Sequence, residues 1–310
     1  MKTVIVITGP TATGKTALGV RLAKSIGGEI VSADSMQVYR HMDIGTAKPS
    51  VDEMCGIPHH LVDFIPPSED YSVARYVEDA SKCIDDILVR KKQPILVGGS
   101  GLYIDSLLSG RTFSARGDED LRKKLEDEFD YFGGEAMLKK LRDADADSAE
   151  RLHVNDKKRI IRALEAFIAT GKTISQHDIE TKALPPRYES VKVALTFSDR
   201  AELYARIDHR VDEMISRGLE EEVRFLLKMG ISRKSTSMQA IGYKEISAAV
   251  LGDSDMVSAV DKVKMESRRY AKRQLTWLRR DNEVRWLVWE GSPDFDRGVK
   301  VIMGEQDETK

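Results

Sequence analysis

Apolar positions along the chain follow two rhythms. Short unbroken runs at 4–7 (Val-Ile-Val-Ile), 29–33, 94–97 and 191–197 have the length and β-branched content of buried strands, and 284–288 is strand-like as well. Between them apolar residues recur every three to four positions. Leu18, Leu22, Ala23 and Ile26 line one helix face, and Val73, Val77, Ala80, Ile84 and Leu88 line another over 72–90, with Ser72 as its cap. Leu203, Ile207, Val211, Met214 and Ile215 do the same over 199–217, and a last long helix is predicted at about 255–280. Strands alternating with helices in this way imply a parallel sheet covered by helices. The stretch 112–184 departs from the pattern. Its charge density rises, strand runs vanish, and helices are predicted at 118–131, 134–142, 145–152 and 156–170, the last stopped by Gly171. Leu184-Pro185-Pro186 closes this helical segment.

The first strand runs into Gly9-Pro10-Thr11-Ala12-Thr13-Gly14-Lys15-Thr16, which matches G-x-x-x-x-G-K-[ST] in the strand-to-helix context that a phosphate-binding loop requires. In such a loop Gly9 and Gly14 let successive N–H groups turn inward, and the positive end of the next helix faces the same point. Lys15 adds a mobile cation for the terminal phosphates, and the Thr16 hydroxyl is the expected ligand for a magnesium ion (Mg2+). The expected fold is therefore α/β: a P-loop NTPase-like parallel sheet flanked by helices, with a small all-helical insertion domain and a helical C-terminal part. The expected boundaries are 1–112 for the P-loop core, 113–185 for the insertion, and 186–310 for the continuation of the core with basic helices.

Asp34 ends the second strand, and in parallel sheets ligands sit at the carboxyl ends of strands, so this carboxylate is expected beside the loop. The run at 94–97 ends in Gly98-Gly99-Ser100-Gly101. A P-loop hydrolase usually carries an acid there for magnesium and water, and its absence argues against simple NTP hydrolysis. His59 and His60 are adjacent in a loop-rich stretch with no third ligand at zinc spacing, which favours a structural or substrate-shaping role.

Composition narrows the class further. With 41% hydrophobic and 32% charged residues over 310 positions, the chain reads as a soluble globular protein with a sizeable core. The formal net charge of -2 does not by itself indicate nucleic acid. The last long helix does, because Lys262, Lys264, Arg268, Arg269, Lys272, Arg273, Arg279 and Arg280 have a single intervening acid, Glu266, with Tyr270, Gln274 and Trp277 interleaved. Cys55 and Cys83 show no metal spacing and read as reduced thiols. No segment approaches a membrane span and no signal peptide is evident, so a cytoplasmic location is expected.

Taken together, Gly-Pro-Thr-Ala-Thr-Gly-Lys-Thr at 9–16, Ser-Ala-Asp-Ser-Met-Gln-Val-Tyr at 32–39, Asp-Ile-Gly-Thr-Ala-Lys-Pro at 43–49, Pro-His-His-Leu-Val-Asp at 58–63, Val-Gly-Gly-Ser-Gly-Leu-Tyr at 97–103 and Lys-Arg-Gln-Leu-Thr-Trp-Leu-Arg at 272–279 resemble the tRNA dimethylallyltransferases of bacterial type. One departure is Ser100, where the family usually has threonine. The resemblance implies transfer of a dimethylallyl group from dimethylallyl diphosphate to N6 of the adenosine 3′ of the anticodon, with release of diphosphate. It puts the diphosphate on Gly9, Pro10, Thr11, Ala12, Thr13, Gly14, Lys15 and Thr16. Lys15 and Arg210, from the Arg-Ile-x-x-Arg-Val pattern, stabilise the leaving group, with Arg206 as the alternative arginine, and Asp34 takes the proton. The implied pocket rim for the target base is Asp34, Ser35, Met36, Gln37 and Ser100. The grip on the tRNA anticodon stem-loop falls on Arg122, Lys158, Arg159, Arg162, Gln239, Gly242, Tyr243, Lys244, Lys272, Arg273 and Arg279. The chain is expected to act as a monomer, away from membranes. Three other classes share the loop. A free-nucleotide prenyltransferase leaves the insert and the basic helix unused, a small-molecule kinase is supported by the loop alone, and a non-catalytic nucleotide-switched RNA-binding protein leaves Asp34 unexplained.

Overall fold

The computed structural model describes residues 3–111, 119–182 and 185–304. They fall into two compact units, Met1–Leu108 with Tyr188–Lys310, and Ser109–Arg187. The division comes at 109 and 187 where 113 and 185 were expected. Gly110, in a left-handed conformation, packs against Arg187, so the chain enters and leaves the second unit side by side at that pair. The expected boundary at 112–113, the helix start at Asp118 and Leu184 lie outside the described residues.

In the first unit β1 (Thr3–Thr8), β2 (Glu29–Ser32), β3 (His59–His60), β4 (Pro94–Val97), β5 (Glu189–Phe197) and β6 (Arg285–Trp289) form one parallel sheet in the order β3-β2-β4-β1-β5-β6. In chain order the helices are α1 (Lys15–Ile26), α2 (Val51–Met54), α3 (Val73–Val89) and α4 (Gly101–Leu108) in this unit. Next come α5 (Glu119–Ala144), α6 (Ala146–Arg151), α7 (Lys157–Thr170) and α8 (Ile174–Lys182) in the second. The last set, α9 (Arg200–Ser216), α10 (Leu219–Lys228), α11 (Tyr243–Val250), α12 (Met256–Leu278) and α13 (Phe295–Met303), returns to the first.

The period-2 alternation of strand side chains divides the core between the two faces of the sheet. Val4, Val6, Val31 and Leu96 pack on one face with Tyr76 and Ile84 of α3, and Ile7, Ile30, Ile95 and Val97 pack on the other with Leu18 and Leu22 of α1. Burial of each such side chain is worth about 1.5–3 kcal/mol, which fixes the strands' register and holds their carboxyl ends in one row. The second unit has its own core of Leu125, Met137, Leu141, Ile160, Ile161 and Leu164.

The structure adds elements that periodicity did not disclose. His59 and His60 form the edge strand β3 instead of a loop, paired with Ile30 and Val31. His60 Nε2 bonds the buried Glu29 carboxylate at 2.8 Å, and Arg90 and Lys92 close on the same acid and hold it ionised far below the usual carboxylate range. His59 Nδ1 lies 2.8 Å from the Ile57 carbonyl. The first two helices predicted in the insert are one element, α5, broken at Gly133, and α8 follows Gly171 where none was predicted. Among the described residues no helix is long and apolar enough to cross a membrane.

Candidate active site

The phosphate loop leaves β1 at the centre of the sheet, between β4 and β5. Gly9 needs to be glycine for two reasons: its φ is 133°, and a Cβ would lie 2.5 Å from the Leu195 carbonyl oxygen of β5. Gly14 is left-handed at the N-cap of α1, and so, unforeseen, is Ala12 at φ 64°. The loop is braced internally and from outside. Thr13 Oγ1 donates to the Pro10 carbonyl at 2.9 Å, Trp289 Nε1 donates to the Thr13 carbonyl at 3.1 Å, and the Thr11 N–H donates to Gln274 Oε1 at 3.2 Å. Lys15 Nζ donates to the Pro10 carbonyl at 2.7 Å. The first turn of α1 has no side-chain cap and no acid, so its amide dipoles face the loop unneutralised.

Asp34 reaches the same place through strand pairing. Ser32 lies opposite Val97, the Ala33 N–H donates to the Val97 carbonyl at 2.8 Å, and the Ser100 N–H donates to the Ala33 carbonyl at 3.1 Å. Asp34 follows directly. Its Oδ1 accepts from the Met36 and Gln37 amides at 2.8 and 3.3 Å, while Oδ2 has no hydrogen-bond partner among the described residues. Ser100 Oγ accepts the Ser35 N–H at 3.2 Å, and Gln37 Nε2 donates to the Thr46 and Ala47 carbonyls, which ties the 43–49 loop to this rim.

One cavity of about 660 Å3 contains these groups. Residues 11–17 line it, as do Asp34, Ser35, Met36, Gln37, Arg210 of α9 and Arg273 of α12. Lys15, Arg210, Arg217 and Arg273 share its lining with Asp34, Glu53 and Glu213. Burial, reinforced by the nearby Arg210 cation and only partly offset by Asp34, pulls the Lys15 pKa down to about 7. Burial also holds the Arg210 pKa below its ordinary value, against the pull of the Asp34 carboxylate. Arg206 is committed elsewhere: its Nε donates to Glu202 at 3.1 Å and its guanidinium lies over the Phe197 ring.

A model of the IPP transferase family matches residues 37–281, most of the chain. The chain belongs to the IPP transferase family. It is 46% identical to the tRNA dimethylallyltransferase of Acetivibrio thermocellus over 97% of this chain and 96% of that one, and 48% identical to that of Desulforudis audaxviator over 91% of each. The full-length tRNA isopentenylpyrophosphate transferase of Bacillus halodurans superposes with a TM-score of 0.73 at 42% identity, covering 98% of this chain and 95% of the other. A eukaryotic dimethylallyltransferase captured crystallographically while acting on tRNA superposes with a TM-score of 0.82 at 28% identity, covering 100% of this chain and 82% of its own.

In this IPP transferase the residues expected to grip tRNA fall into distinct surroundings. Lys272, Arg273 and Arg279 are exposed on α12, with Arg273 stacked over Tyr270. Other cations of that helix are already paired: Lys264 with Asp212 at 2.6 Å, Arg268 with Asp208, and Arg269 with Glu266 at 2.6 Å. Asp208 and Asp212 lie on α9, so a count of charges within the helix missed them. Lys244 is exposed and Gln239 lines the cavity. Gly242 and Tyr243 correct the expectation, since both are buried. The Tyr243 hydroxyl donates to Glu222 at 2.5 Å, and its ring fills the space beside Gly45, so it supports a loop and offers no surface to RNA. In the second unit Lys158 and Arg159 are exposed, whereas Arg122 and Arg162 both bond the buried Glu165, at 3.0 and 3.1 Å.

Tyr270 and Gln274 line the same cavity as Asp34 and were not foreseen as part of it. Tyr270 lines the cavity and bonds Ser100, and burial together with the Asp34 charge pushes its hydroxyl up to about 12, so it is a neutral donor. Tyr270, Gln274 and Trp277 were all read as interleaved with the basic residues of an RNA-contacting helix. Gln274 is buried against the phosphate loop, whereas Trp277 stays exposed while its Nε1 donates to Asp105 at 2.8 Å. The glycine run at 98–101 follows from these contacts: a Cβ at 98 would strike the Ala33 backbone, one at 99 would strike Gln274, and one at 101 would strike Trp277.

Proposed function

We propose that this chain transfers the dimethylallyl group of dimethylallyl diphosphate to N6 of the adenosine 3′-adjacent to the tRNA anticodon and releases diphosphate. The observation that carries the reading is that one cavity holds both a phosphate cradle and a carboxylate with an uncommitted oxygen. The diphosphate sits on Gly9 to Thr16, with the amides of the loop and the start of α1 as donors. The bond from the allylic carbon to the diphosphate oxygen breaks and the bond from that carbon to N6 forms. Negative charge gathers on the leaving oxygens, where Lys15 and Arg210 stabilise it more than in the bound donor. The exocyclic amine becomes acidic as it is alkylated, and Asp34 Oδ2 takes its proton.

Magnesium fits the residues present. Among the described residues no three His, Cys, Asp or Glu side chains could hold a metal by themselves. The half-buried Thr16 hydroxyl on the first turn of α1 supplies one hard oxygen, which suits an ion that takes its remaining ligands from substrate phosphates and water. Bound there, Mg2+ would neutralise charge on the diphosphate. To reach Asp34 the adenine must leave the anticodon-loop stack, with Ser35, Met36, Gln37 and Ser100 at the rim of its pocket and the exposed cations of α12 holding the RNA backbone. The reading also takes the chain as a monomer.

The deciding experiment incubates the protein with labelled dimethylallyl diphosphate and, in separate arms, unmodified tRNA, AMP, or ATP with small-molecule acceptors. Label is expected in tRNA, on adenosine N6. Label in AMP alone, or phosphoryl transfer from ATP, refutes the proposal.

A further inference from the structure

Gln274 is a cavity side chain that the chemistry above leaves without a task. It stands on α12 next to the exposed Arg273, yet is itself only 8% exposed. Its two ends are both used by main chain far away in sequence. Oε1 accepts the Thr11 N–H at 3.2 Å, and Nε2 donates to the Gly99 carbonyl at 2.9 Å. Thr11 belongs to the loop after β1 and Gly99 to the turn after β4. Ser100, the next residue, receives the Ser35 amide beside Asp34. One amide thus joins the strand-end segments that carry the cradle and the acid. Its fit is tight, because Nε2 lies 2.2 Å from where a Cβ on Gly99 would stand. One turn later Trp277 makes a parallel contact, with its ring against Gly101. The helix that carries both is anchored to α9 through Arg268–Asp208 and Lys264–Asp212, on either side of Arg210 in the sequence.

We propose that Gln274 is a positioning residue for prenyl transfer, setting the separation between the phosphate cradle and Asp34 and taking no part in gripping RNA. The proposal rests on the transfer reading given above. Without the amide, the 9–16 loop and the 98–100 turn lose their common tether, and the donor carbon and the acceptor nitrogen no longer share one geometry. Displacements of about 1 Å between reacting groups cost roughly a hundredfold in rate. The loss falls on kcat, because Lys272 and Arg273 keep their place on the surface.

The test uses the full chain, an unmodified tRNA transcript and labelled donor. Gln274→Met keeps the side chain's length and volume but can form neither hydrogen bond. It is expected to lower kcat by about 10- to 100-fold, with KM for tRNA and the salt dependence of tRNA binding within twofold of wild type. Gln274→Leu is a second variant that can form neither hydrogen bond and adds no charge beside the cradle, so its kcat falls alike. If Gln274→Met melts well below wild type, the same comparison is made with Gln274→Leu. A kcat within twofold of wild type in the folded variant overturns the proposal. So does a loss confined to KM for tRNA with a flattened salt slope, which makes Gln274 an RNA contact. A wild-type chain that transfers no prenyl group overturns this inference together with the functional reading, whereas normal wild-type transfer beside an unimpaired variant overturns this inference alone.

Discussion

The phosphate cradle of the first unit and the Glu165 cluster of the second both gather cations, and they do so in opposite ways. In the cradle, Lys15 and Arg210 are desolvated with no carboxylate within ion-pair distance among the described residues, and burial depresses the pKa of both. In the second unit Arg122 and Arg162 converge on one carboxylate that is 1% exposed, while their own side chains stay about half exposed. The first arrangement stores electrostatic potential that an anion relieves. The second has much of its charge balanced before any partner arrives. A basic residue in a promising pattern is therefore not yet a binding residue, because its tertiary neighbours decide how much of its field is left over.

Asp34→Ala breaks this comparison most sharply. It should lower kcat by about 10²–10⁴-fold in a single-turnover assay while tRNA affinity stays within a few fold; an enzyme that keeps most of its turnover removes the base assignment. Next in size is the pH dependence of donor binding. The protonated Lys15 is the form that attracts diphosphate, and in the free protein its pKa is about 7. A bound anion raises that value, so binding takes up a proton above pH 7 and affinity falls as pH rises, by up to about tenfold per unit. Calorimetric titration in buffers of different ionisation enthalpy reads the proton uptake, and Lys15→Met should abolish it. Replacing Lys272 and Arg273 by alanine should weaken tRNA binding and reduce its logarithmic salt slope by about 1.5, with donor binding unchanged. An unaltered slope returns that helix face to solvent. The smallest effects are expected in the second unit: Arg122→Ala and Arg162→Ala should weaken tRNA binding less than Lys158→Ala and Arg159→Ala, because Glu165 already claims the first pair. The reverse ranking means that the cluster opens to bind RNA.

Local pattern revealed most of the architecture. The helix cap at Ser72 was legible because its signal lies within a few residues of the helix it starts. Edge strand β3 was not, since two histidines have no periodicity and become a strand only beside β2. Of the candidate site, the cradle and Asp34 were accessible from motif and strand end. The burial of Tyr243 was not, because it depends on Glu222 and Gly45, both distant in sequence.

By itself the sequence determined the phosphate loop, the parallel sheet and the carboxylate at the end of its second strand, since each is set by spacing within a single strand–turn–helix unit. Tertiary structure alone decided which cations keep an unbalanced charge, why residues 98–101 hold so many glycines, and that Gln274 is buried against the loop while its neighbour Arg273 stays exposed at the cavity. Most of those outcomes depend on distances of a few ångströms between residues on different elements, from Arg122 and Glu165 to Thr11 and Gln274, and only packing against a common core sets such distances.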